Sequence, residues 1–130
     1  MAIFNYKQTI YAGMVAIAGV DGEVSGREES KVNDIFNQQF DMSRSDRKEV
    51  IKTWEQNKDK FTDMLIEELK LHSYNDQREA FKSIYHFILE RRKEYNLSGK
   101  SREKGVDTEL KQLNMYEESA NYIKKALGLG

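Results

Sequence analysis

The sequence predicts an all-α protein, a single-domain bundle of about six to seven helices, on three observations. Apolar residues recur at three- and four-residue spacing along nearly the whole chain. Proline is absent from all 130 residues, although loops, edge strands and rigid turns usually contain some. Ser, Asp or Asn stands three residues ahead of Glu before successive apolar runs, which is how a capping box marks a helix start. A chain of this length supports one hydrophobic core, so one domain over residues 1–130 is expected.

The elements follow in order. Ile10, Met14 and Ile17 form one apolar stripe and Tyr11, Val15 and Ala18 its neighbour, so a well-buried first helix is expected from about Tyr6 to Val20. Ser25 reads as an N-cap, with Glu28 completing the box. The second helix turns Val32, Ile35 and Phe36 inward and ends near Phe40. Ser43 or Ser45 caps a third helix around Val50, Ile51 and Trp54. A fourth starts near Asp59 and carries Phe61, Met64, Leu65 and Leu69 on one side. Asp76 with Glu79 predicts the start of a long fifth helix, strongly apolar from Arg78 to Arg92. Asn96 to Gly105 reads as a loop. Asn114 with Glu117 marks the last helix, which carries Tyr122, Ile123 and Leu127 and stops at Gly128. The first and fifth helices should be central and packed on each other. Phe36, Phe40, Trp54, Phe61, Phe81, Tyr85 and Phe87 fall at helical spacing and read mostly as core.

Composition removes several function classes. A net charge of -1 provides no global field for nucleic acid or anionic membranes. Zero cysteines exclude disulfides, thiolate metal sites and cysteine nucleophiles, and two histidines cannot build a zinc site of several imidazoles. The longest apolar run, Ile10 to Val20, is too short to span a bilayer, which needs roughly 20 residues. No basic stretch followed by an apolar core marks a signal peptide. A bacterial-type cytoplasmic protein is the expectation.

The chemistry concentrates in Ala18-Gly19-Val20-Asp21-Gly22-Glu23-Val24-Ser25-Gly26-Arg27-Glu28-Glu29. Two readings stand side by side. Asp21, Glu23, Ser25 and Glu28 or Glu29 offer oxygen ligands to a hard cation such as calcium or magnesium. The spacing begins like an EF-hand loop and then fails, because Val32 stands where a bidentate Glu is required. Alternatively, Asp21-Gly22 is turn chemistry, Ser25 and Glu28 satisfy the free N–H groups of the next helix, and the acids complement its dipole. Capping does not need Glu23 and Glu29, so they are the sharper ligand candidates. A shorter echo runs through Gly105-Val106-Asp107 and then Glu117-Glu118-Ser119, which suggests two similar halves.

Elsewhere the signals are weaker. His86 and Glu90 stand at i,i+4 and could share a metal or an ion pair, but no H-E-x-x-H pattern is present. Arg91, Arg92, Lys93, Lys100, Arg102 and Lys104 form a local basic cluster diluted by Glu90, Glu94 and Glu103. A solvated helix end explains it without nucleic acid. No Walker loop, no G-x-G-x-x-G and no nucleophile elbow occurs.

The apolar helix running into Val20-Asp21-Gly22-Glu23-Val24-Ser25, followed by Glu28-Glu29 and another apolar helix, resembles the tellurite-resistance TerB-like family. Its signature turn reads approximately A-D-G-E-hydrophobic-S/D-x-x-E. Glu117-Glu118 through Ile123 and Ala126-Leu127-Gly128-Leu129 look like that family's second half. This chain departs from the pattern at Val20, where alanine is usual, and at Asp107-Thr108-Glu109-Leu110, which lacks the D-G-E triplet. The resemblance implies a helical bundle with pseudo-twofold halves and no enzymatic activity. It implies a role in tellurite or chemical stress, beside co-chaperone modules in some members. It also implies an acidic, metal-binding face, here Asp21, Glu23, Glu28, Glu29, Asp107, Glu117 and Glu118, holding calcium, magnesium or zinc, a partner protein, or both. The alternative is a ligand-free interaction scaffold or co-chaperone-like adaptor.

Overall fold

Asn5 starts the first helix by a reciprocal cap: its side chain accepts from the Gln8 N–H at 2.8 Å, and the Gln8 side chain accepts from the Asn5 N–H at 3.0 Å. The structure is a computed structural model that describes residues 3–97 and 106–129, with side chains for all of these except 97 and 106–108. Helix α1 (Tyr6–Ala18) is buried at every position from Gln8 to Ala18. A helix apolar on all sides must be surrounded, and α1 touches each of the five other helices. These are α2 (Gly26–Asn37), α3 (Arg44–Gln56), α4 (Phe61–Lys70), α5 (Tyr74–Leu97) and α6 (Val106–Ala126). The described residues are thus all-α, as the periodicity predicts.

The packing of α1 on α5 is also as expected. It is close because of Gly13: a Cβ there would lie 2.3 Å from Ile84 Cδ1. At the end of α1, a Cβ on Gly19 would lie 2.6 Å from the Trp54 ring of α3, so the acidic turn leaves the core with an indole against its backbone. Aromatic pairs fill the interior, with Tyr11 edge-on to Phe36 at 5.3 Å and Phe87 against Tyr116 at 5.6 Å. Glu68 of α4 is buried beneath the N-terminal segment, where one carboxylate oxygen accepts from the Ile3 and Phe4 N–H groups, both at 2.9 Å.

Several boundaries move. The first helix stops at Ala18 and the second at Asn37. Ser43, not Ser45, caps α3, accepting from the Asp46 N–H at 3.1 Å. Lys60 precedes α4 without a side-chain cap. Helix α5 begins before the Asp76–Glu79 box, and Ser73 accepts from the Asp76 N–H at 3.1 Å instead. The largest shift is at α6, which begins at Val106 and carries Asn114 in its interior, exposed. Glu109 to Leu113 are helix-forming residues, and a capping side chain that faces water does not end a helix.

Tyr122 of α6 is 53% exposed. Gly128 does stop α6, at φ 68°, with the Leu129 N–H donating to the Lys124 carbonyl at 3.0 Å. The expected loop falls mostly on residues 98–105, outside the described residues, while Asn96 belongs to α5. Val106 and Asp107 are already helical in backbone, so the second turn is not a copy of the first at these positions. No described helix is long and apolar enough to cross a membrane.

Candidate functional site

The acidic turn is built by local hydrogen bonds. The Gly22 N–H donates to the Gly19 carbonyl at 2.9 Å, and Gly22 takes φ 93°, a region open to glycine and costly for other residues. Asp21 folds back to accept from the Glu23 N–H at 3.2 Å. The capping box is formed as predicted: Ser25 Oγ accepts from the Glu28 N–H at 3.1 Å, and Glu28 Oε1 accepts from the Ser25 N–H at 3.3 Å.

The other Glu28 oxygen faces α6. Oε2 accepts from the Tyr116 hydroxyl at 2.9 Å and from Gln112 Nε2 at 3.3 Å. Tyr116 is 1% exposed, and burial, reinforced by the charge and hydrogen bond of Glu28, pushes its phenol far above the ordinary range. Glu117 is engaged on the next face of α6. Its carboxylate accepts from the Tyr85 hydroxyl at 2.7 Å and pairs with the Arg92 guanidinium. Glu28 and Glu117 therefore clamp α6 onto α2 and α5. Both carboxylates take phenol, amide or guanidinium donors from within the protein.

A cavity of about 290 Å³ opens beside the first clamp, lined by Arg27, Glu28, Arg91, Glu94, Glu109 and Tyr116 among others. Two of its charges are paired within the protein, Glu94 accepting from Lys31 Nζ and Arg91 Nη1, each at 2.8 Å.

The remaining candidates lie in separate surroundings. Glu29 is half-buried near Tyr11, whose phenol burial raises to about 12, with the Glu29 charge adding to the shift and Arg47 opposing it. The Tyr11 hydroxyl donates to Asn33 Oδ1 at 2.5 Å. Asp21 and Glu23 are exposed. Glu23 borders a shallow depression with Trp54, Glu55 and Lys58, where Lys58 Nζ sits 4.8 Å from the indole centroid.

Glu118 is exposed and lines a groove with Val20, the residue before Asp21, and with Asp59, Asp63, Met115 and Tyr122. That groove joins the end of α1, the first turn of α4 and one face of α6, and holds about 380 Å³. Among the described residues, no three of His, Asp and Glu form a group that could hold a metal ion. The Asp107 side chain lies outside the described residues. His86 Nε2 lies 3.4 Å from Glu90 Oε1 and also 3.4 Å from Gln38 Oε1, a half-buried polar contact.

Sequence reasoning missed Tyr116, Gln112, Tyr85 and Arg92 as partners of the acidic residues. One signal was available. Tyr116 shares the apolar stripe of Leu113, Ala120, Ile123 and Leu127, and a tyrosine on a buried stripe must find an acceptor for its hydroxyl.

Residues 7–86 match the family model described as Tellurite resistance protein TerB. The match runs from α1 into the middle of α5 and contains the whole acidic turn, while α6 lies beyond it. No curated protein and no solved structure matches the chain.

Proposed function

The chain belongs to the tellurite-resistance TerB family, and we propose that it is a non-enzymatic, cytoplasmic, stress-associated module that binds a partner protein through its acidic face. One observation carries this reading. With Glu28 and Glu117 engaged inside the protein, the exposed acids Asp21, Glu23 and Glu118 remain, and Val20 and Glu118 border the same groove. The groove thus brings Val20, which leads into the first acidic turn, beside the second-half acid Glu118. A protein partner can satisfy carboxylates spread along a groove, whereas calcium, magnesium or zinc draws several oxygens onto one point. The cation is the narrower form of the same proposal, and it requires Asp21, Glu23 and Glu29 to be drawn together on binding, since among the described residues no three acids already form a group that could hold a metal ion.

The two forms separate experimentally. Isothermal titration of the full chain with calcium, magnesium, zinc and manganese supports the cation if heat appears and an Asp21→Ala, Glu29→Ala variant loses it. A flat titration, with a melting temperature indifferent to chelators, removes the cation. For the partner, an Asp21→Lys, Glu23→Lys, Glu118→Lys variant should lose a protein that crosslinks to the parent chain. Equal capture by the variant would remove the acidic face from the proposal.

A further inference from the structure

Resting on the partner reading above, we propose that the groove between α4 and α6 docks an amphipathic segment of the partner that carries lysine or arginine. The groove is walled by Asp59, Asp63 and Glu118, and no cationic side chain among the described residues lines it. Among the described residues, none of these three carboxylates takes part in an ion pair. Negative charge left uncompensated along a groove attracts and orients a positively charged partner, and discriminates against a negative one.

The charge is interleaved with apolar surface. On α6, Met115, Glu118 and Tyr122 follow one another at i, i+3 and i+7, so they present a single stripe. Met115 is 37% exposed and Tyr122 53% exposed. Half-buried Val20 adds apolar surface from the end of α1. Methionine adapts to varied apolar surfaces, and a tyrosine face accepts an aliphatic stem or a cationic head. The Tyr122 hydroxyl also donates to Asp63 Oδ1 at 2.6 Å across the groove. An exposed aromatic flanked by carboxylates matches a segment alternating apolar and basic residues, the chemistry of a basic helix laid in a groove.

The test uses the full chain labelled with nitrogen-15 and an 18-residue helical peptide of leucine and lysine as probe, with a leucine–glutamate peptide of the same pattern as control. The lysine peptide should shift the amides of Val20, Thr62, Glu118 and Ser119. An Asp59→Lys, Glu118→Lys variant should bind it at least tenfold more weakly, and both positions are exposed, so the fold should persist by circular dichroism. If Asp21→Lys, Glu23→Lys abolishes binding while the groove variant binds normally, the groove is wrong and the broader acidic-face reading stands. If neither variant weakens binding, both fail. Equal binding of the glutamate peptide, or a dimer in sedimentation that the groove variant abolishes, would overturn a basic partner segment as the occupant.

Discussion

Helix α6 carries two tyrosines whose hydroxyls donate to carboxylates, Tyr116 to Glu28 at 2.9 Å and Tyr122 to Asp63 at 2.6 Å, and the two pairs do different work. Tyr116 is 1% exposed and Tyr122 53% exposed. In the first pair, water cannot replace a lost partner, so the hydrogen bond holds the helix. In the second, water competes for both groups, so the bond contributes little to stability and the surface stays available for recognition. A short distance between a phenol and a carboxylate therefore does not reveal its value. Burial of the donor does.

Four experiments would break or sharpen that contrast. The largest effect is expected from Glu28→Ala, which strands the buried Tyr116 hydroxyl and removes half of the α2 capping box. It should lower stability by about 2–3 kcal/mol in urea unfolding. Glu117→Ala comes next. It frees Tyr85 and Arg92, which are partly exposed and recover some hydration, so about 1 kcal/mol is expected by the same method.

Alkaline titration follows. The Tyr11 phenol has a folded value near 12 against an ordinary value of 10.0, so the unfolded chain loses its proton first as pH rises. Stability from this group is fully present below pH 10 and lost between about 10 and 12, a fall on the order of 1 kcal/mol by pH 11. Tyr116 shifts in the same direction. Chemical unfolding from pH 8 to 11 should show the decline, and Tyr11→Phe should make it shallower while the Tyr116 share persists. The smallest effect belongs to Tyr122→Phe, within about 0.5 kcal/mol of the parent. A loss as large as that of Glu28→Ala would erase the distinction between the two pairs.

The parts legible from sequence were those governed by near neighbours. The Ser25–Glu28 cap was readable because both partners lie within one helical turn. The central place of α1 was readable because its apolar residues leave it no polar face. Asn114 misled because capping chemistry is permissive: the residue suits a helix start, yet nothing obliges it to make one. Among the candidate acids, the sequence named Glu28, Glu117 and Glu118 without distinguishing the two that are engaged within the protein from the one that faces the solvent.

By itself the sequence determined the helical class, the acidic turn with its cap, and membership of the family, since periodicity, glycine placement and a short motif are local properties. Tertiary structure alone decided what each carboxylate does. Glu28 and Tyr116 are 88 positions apart, and only the packing of α6 onto α2 sets one acid against a buried phenol while it leaves Glu118 at an open groove. Burial and long-range proximity fix the worth of a charge, and neither is written in the residues beside it.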